Sequence, residues 1–180
     1  MSLGEEEKGA FRGVLRSDDF TVVKDEEAVK FLKSKGYGIP EDDVVLLNPV
    51  EALYLTYREV LEVFDTEGVK LSFEALLRRF SSKEKDLWLE FIVYSDLRRR
   101  GFIVRRAASP LTFFVDKGGE SKSKRYLVAC LREGVRIGFE ELETFFRRST
   151  ESDRELVVAI VDKEGNISYY IVEKIIPVRD

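Results

Sequence analysis

The sequence predicts an α+β protein built from two small domains, and three observations carry that reading. The chain has 180 residues, 44 % of them hydrophobic and 12 % aromatic, enough apolar mass for a packed core. Windows of helical apolar spacing are interleaved with short β-branched runs rather than segregated from them. A polar stretch, Ser81-Ser82-Lys83, then divides the chain into residues 1–80 and 81–180.

The elements follow in order. Phe11–Leu15 and Phe20–Val23 read as two short strands around a polar turn at Ser17–Asp19. Asp25 is placed to cap a helix carrying Ala28, Val29, Phe31 and Leu32, which ends near Gly36. Gly36, Gly38 and Pro40 break the chain, and Val44–Leu47 is a short buried strand. Asn48-Pro49-Val50-Glu51 supplies a cap, a proline at the first helical position and an acid in the first turn. Val50, Leu53, Tyr54, Tyr57, Val60, Leu61 and Phe64 continue from it at helical spacing. Ser72 opens another helix, with Phe73, Leu76, Leu77 and Phe80 on one face.

In the second domain Ser81 and Glu84 have the spacing of a capping box. The helix after them holds Leu87, Trp88, Phe91, Ile92 and Leu97 and stops at Gly101, with Arg98–Arg100 at its negative end. Phe102–Arg106, Leu111–Val115 and Tyr126–Leu131 read as strands, and Lys117–Lys124 as a basic loop. Phe139, Leu142, Phe145 and Phe146 mark a helix. Leu156–Val161 and Ile167–Glu173 form a hairpin across Asp162–Asn166.

Composition excludes several chemistries. The chain has no histidine, which removes histidine acid–base catalysis, Ser-His-Asp triads and nearly all transition-metal sites. One cysteine, Cys130, allows no internal disulfide and fits a reducing compartment. No apolar run approaches the ~20 residues that span a bilayer, and the acidic N-terminus lacks an apolar signal core, so a cytoplasmic protein is expected. Gly118-Gly119 lacks the phosphate-loop pattern. Glutamine is absent and asparagine occurs only at Asn48 and Asn166, a composition pointing to heat adaptation. The net charge of −4 is uneven: residues 87–148 carry 13 Lys and Arg against 8 Asp and Glu, a local +5. Within that basic stretch Arg105 and Arg106, on opposite faces of a strand, and Lys124 and Arg125 are candidate RNA-phosphate contacts.

Several segments resemble the archaeal-type tRNA-splicing endonuclease family. Pro49–Leu55 matches its EALYL-type helix, Tyr94–Val104 its Y-x-D-L-R-x-R-G-Y-x-V segment, Tyr126-Leu127-Val128 the end of its H-S-x-Y-L-V motif, and Leu156–Tyr170 its closing hairpin. The likeness runs over roughly residues 10–178. It implies an N-terminal α+β domain and a C-terminal mixed sheet flanked by helices, of restriction-endonuclease-like type. It also implies metal-independent RNA cleavage by a Tyr-His-Lys triad, in which the 2′-hydroxyl attacks the adjacent phosphate to leave a cyclic phosphate and a 5′-hydroxyl.

The triad is missing here. Its tyrosine position falls near Asp116, its histidine position on Ser123 and its lysine position within Asp153-Arg154-Glu155, where Arg154 keeps a charge. The resemblance therefore implies a structural, non-catalytic subunit that joins a catalytic subunit, two of each, on precursor tRNA, without cofactor or metal. The expected partner contacts are the acidic hairpin tip, Asp162 and Glu164, with neither carboxylate needed for the turn, and the last strand, Ile167–Ile176, through Tyr170, Ile171 and Val172. Two alternatives stand beside it: a nuclease with an altered site, either a triad of Tyr126, Lys124 and Arg154 or carboxylates holding magnesium, and a standalone RNA-binding module.

Overall fold

In the computed structural model, which describes residues 10–118 and 124–174, the chain divides into two compact units, one ending at Lys85 and the other beginning at Asp86. The first has a six-stranded sheet in the order β3-β4-β2-β1-β5-β6. Its strands are β1 (Phe11–Leu15), β2 (Thr21–Val23), β3 (Ile39–Glu41), β4 (Val44–Leu47), β5 (Leu61–Phe64) and β6 (Lys70–Leu71). β1 and β5 run parallel and the other pairs antiparallel.

Capping chemistry explains where its helices start. Asp25 accepts from the Ala28 N–H ahead of α1 (Glu26–Ser34), and Ser72 from the Ala75 N–H ahead of α3 (Phe73–Ser81). Asn48 and Glu51 form a reciprocal capping box at the start of α2 (Pro49–Tyr57). Glu51 is buried, and its second oxygen takes the Gly38 N–H at 2.9 Å. Gly38 sits at φ 69° against the side chain of Val45, where a Cβ has no room.

The helix expected to run through Val60, Leu61 and Phe64 stops at Tyr57. Glu59 turns the chain at φ 57°, and Leu61 and Val63 point into the core as alternate residues of β5. Ser81 does not cap the next helix either: it closes α3, and the Glu84 N–H is taken by Phe80 O at 2.9 Å.

The second unit is a five-stranded sheet in the order β11-β10-β9-β8-β7. Its strands are β7 (Phe102–Arg106), β8 (Thr112–Lys117), β9 (Arg125–Arg132), β10 (Glu155–Val161) and β11 (Ile167–Val172). β9 and β10 are parallel, joined by α5 (Phe139–Glu151), and the rest are antiparallel. α4 (Leu87–Arg99) covers one face, where Tyr94 packs against Phe113, ring centroids 5.8 Å apart. α5 covers the other through Phe145, against Leu127, Ala129 and Leu156. This unit is mixed α+β, a mixed sheet between helices, as expected from the sequence.

Candidate functional site

β8 and β9 carry one side of the site. Arg154, immediately before β10, carries the other. Behind α5, Asp153 adopts φ 53° and the Arg154 N–H returns to Ser149 O at 2.8 Å, which closes the helix. That turn delivers the Arg154 side chain over the Phe114 ring, 4.6 Å from its centroid. Its guanidinium donates to Asp116 through both arms, Nη1 to Oδ1 at 2.9 Å and Nη2 to Oδ2 at 3.2 Å. Nη1 also reaches Tyr126 O at 3.2 Å and Val115 O at 3.3 Å. The Arg154 side chain is 7 % exposed and that of Asp116 24 %. Arg125 adds its Nε at 3.5 Å from Asp116.

The fold thus brings together Asp116 and Arg154, two of the residues that the resemblance sets at or near the triad positions, and Ser123 lies outside the described residues. What they form is a closed bidentate pair. Both carboxylate oxygens are occupied, and a guanidinium does not release its proton in proteins. The altered triad of Tyr126, Lys124 and Arg154 is not assembled. Tyr126 turns to the α4 face and packs edge-on against Phe102, centroids 6.4 Å apart, whereas Arg154 lies with Phe114 and Leu127 on the α5 face. Among the described residues, no group of three or more Cys, Asp or Glu gathers as a metal site. Cys130 is fully buried, which pushes its thiol well up, with the charge of Glu90 adding to the effect.

The basic candidates separate. Arg105 and Arg106 do face opposite ways, but Arg106 turns under α4 and pairs with Glu90, itself buried. Arg106, half-buried with its charge engaged by Glu90, is thus less available to RNA than Arg105. The signal for this was in the sequence: Glu90 sits on the stripe Leu87, Glu90, Tyr94, Leu97, an acid on a core-facing helical line that needs a buried partner. Arg105 and Lys124 stand exposed, and Arg125 is exposed beside Asp116 and Asp153.

At the hairpin tip, Asp162 does more than the sequence suggested. Its Oδ1 accepts from the Glu164 N–H at 2.8 Å and the Asn166 N–H at 2.9 Å, and its Oδ2 from Asn166 Nδ2 at 2.9 Å. The side-chain and backbone bonds from Asn166 hold the Asp162 carboxyl below its ordinary value. Asp162 therefore organises the turn, contrary to the expectation that neither acid is needed there. Glu164 and Lys163 point outward.

β11 is the sheet edge. On its α4 face Tyr169 donates to Asp96 at 2.7 Å, and burial, followed by that bond, drives its phenol far up in pKa. Tyr170 and Ile171 are each 56 % exposed, on opposite faces. Val172 instead packs against the Leu127–Phe145–Leu156 cluster, so it is partly a core residue. The expected extension of this strand to Ile176 runs beyond the described residues.

Comparison with known proteins bears on both units. Residues 11–77 match the family model described as tRNA intron endonuclease, N-terminal domain, and residues 87–169 the one described as tRNA intron endonuclease, catalytic C-terminal domain. The tRNA-splicing endonuclease of Methanococcus vannielii is 32 % identical over 157 residues, 86 % of this chain and 89 % of that protein. That of Pyrococcus horikoshii is 32 % identical over 149 residues, 82 % of this chain and 87 % of that one. The protein of the same name in Methanosarcina acetivorans is 30 % identical over 158 residues, 87 % of this chain but 45 % of its own length.

Proposed function

The chain belongs to the tRNA intron endonuclease family, and on that basis we propose that it is the structural, non-catalytic subunit of a heteromeric tRNA-splicing endonuclease. In this reading two such subunits join two catalytic subunits to cut precursor tRNA at bulge–helix–bulge sites, in the cytoplasm and without cofactor or metal. The observation that carries it is the closed Asp116–Arg154 pair at two of the triad positions, in a chain with no histidine. Transfer of a proton from the 2′-hydroxyl and to the leaving 5′-oxygen needs a base and an acid. A doubly engaged carboxylate and a guanidinium offer neither.

The same reading gives the outer surfaces their roles. Glu164, held outward by the turn that Asp162 organises, meets a basic groove of the catalytic subunit, and Tyr170 and Ile171 on the edge strand meet an apolar one. Arg105, Lys124 and Arg125, all exposed, supply phosphate contacts to the precursor tRNA in this reading.

The test uses purified chain, a histidine-bearing catalytic paralogue and an end-labelled intron-containing precursor tRNA. The chain alone leaves the RNA intact, and accurate cleavage appears when the two proteins are mixed. Site-specific cleavage by the chain alone that survives EDTA would refute the non-catalytic role.

A further inference from the structure

The second unit carries an open groove of about 910 Å³ between the start of α4 and the tip of the β10–β11 hairpin. One wall is Trp88, Leu89 and Ile92. The other is Val161 and the turn from Asp162 to Gly165, and the end of β9 with the turn after it, Arg132 to Gly134, closes the end. Leu89 and Val161 are buried, so the wall is firm, but Trp88 is 49 % exposed. Phe91 stacks beneath it at 5.3 Å and 22° between planes, which fixes the ring in place.

The groove lining carries three acids, Glu133, Asp162 and Glu164, against two bases, Arg132 and Lys163. Arg132 is matched by Asp86 at 2.8 Å. That leaves Glu133, Glu164 and Asp162 against Lys163, an anionic rim around an aromatic floor. An RNA strand would bring phosphate against Glu133 and Glu164. A second copy meeting it face to face would set the same acidic rim against itself. A cation is the complement on both counts: the carboxylates attract it, and tryptophan is the best aromatic face for it to lie on. A guanidinium, planar and weakly hydrated, suits an indole better than an ammonium does.

We propose that this groove receives an arginine-bearing segment of the catalytic partner, its guanidinium stacked on Trp88 and its flanks held by Glu133 and Glu164. The proposal rests on the assembly described under Proposed function. It goes beyond the hairpin acids by making α4 half of the docking site and Trp88 its anchor.

Trp88 is the chain's single tryptophan, so a chain grown with 5-fluorotryptophan gives one fluorine resonance. Titration with the unlabelled catalytic paralogue is expected to shift that resonance and shield it from a soluble paramagnetic agent. Trp88→Ala is expected to weaken assembly at least tenfold with an unchanged melting midpoint, and Glu133→Gln with Glu164→Gln about fivefold, with a flatter salt dependence. Assembly with the resonance unmoved and Trp88→Ala at wild-type affinity overturns the groove and leaves the subunit reading standing. No assembly of the wild-type chain at all takes down both. A resonance that moves with the chain's own concentration, or with precursor tRNA alone, overturns the proposal in favour of self-association or RNA.

Discussion

Asp116 and Arg154 are the pair whose removal has an order that can be worked out beforehand. Asp116→Ala strands a guanidinium whose side chain is 7 % exposed, leaving it only Tyr126 O, Val115 O and the Phe114 face. Breaking a buried pair from one side typically costs about 3–5 kcal/mol. The two carbonyl bonds survive and Asp116 is itself a quarter exposed, so ~2–3 kcal/mol is the better figure here. Arg154→Met keeps most of the volume and leaves a carboxylate that is partly solvated and already 3.5 Å from Arg125, a loss of about 1–2 kcal/mol. The double variant is expected to lose less than the sum, because each single change carries the cost of leaving a partner behind. Trp88 lies in the same unit, so its fluorescence in urea follows that unit's unfolding. With a slope of roughly 1–3 kcal/mol per molar, Asp116→Ala moves the midpoint down by about 0.7–3 M. Arg154→Met costing as much as Asp116→Ala, or Asp116→Ala costing under ~0.5 kcal/mol, would show that the pair is screened by water and closes nothing.

Two further outcomes are expected. Glu164→Ala leaves the hairpin intact and weakens assembly, whereas Asp162→Ala loosens the turn itself; amide exchange at Glu164 and Asn166, both bonded to the Asp162 carboxylate, separates the two and refutes the assignment if it is equal in both variants. In the first unit, burial works to raise the Asp19 carboxyl, but hydrogen bonds and charge from Lys83 and Arg79 outweigh it and hold it below 3.8. A depressed carboxyl stabilises the fold above its unfolded-state value and loses that contribution as pH falls from 3.8 through the folded-state value, so acid titration of the chain should show a component that Asp19→Asn removes.

How much of this was legible depends on the range of the interaction. The caps at Asp25, Asn48 and Ser72 act over three residues, and all three form the hydrogen bonds their spacing implies. Ser81–Glu84 has the same spacing and fails, because Ser81 is already consumed as the last turn of α3. The run Val60–Phe64 fits a helical stripe and a strand equally well; the left-handed turn at Glu59, which the spacing does not encode, decides for the strand. β3 and β6, three and two residues long, are too short to carry a period at all. Edge position was readable for the last strand, but not that Val172 folds back onto the α5 core. A probe of the interface there is therefore Ile171→Asp rather than a change at Val172. The site itself joins residues 38 apart; chain order does not bring Asp116 and Arg154 together, and only the resemblance, which sets both near positions of one triad, implies that they meet.

That meeting changes what the loss of the triad means. Read one position at a time, the sequence shows an aspartate where a tyrosine is expected and an arginine where a lysine is expected, each apparently one substitution from the family pattern. In the fold the two are a single unit. A tyrosine at position 116 would strand the nearly buried Arg154 guanidinium, and a lysine at position 154 could neither span both Asp116 oxygens nor reach the carbonyls of Val115 and Tyr126 in one plane. Each single reversal is therefore destabilising before it adds any catalytic group, and even both together would still lack a histidine. The ion pair is a structural element in its own right, and its stability depends on both residues remaining as they are. On the proposed reading, a chain whose triad positions hold such a pair keeps the sheet, hairpin and edge strand through which it would assemble, without keeping the chemistry.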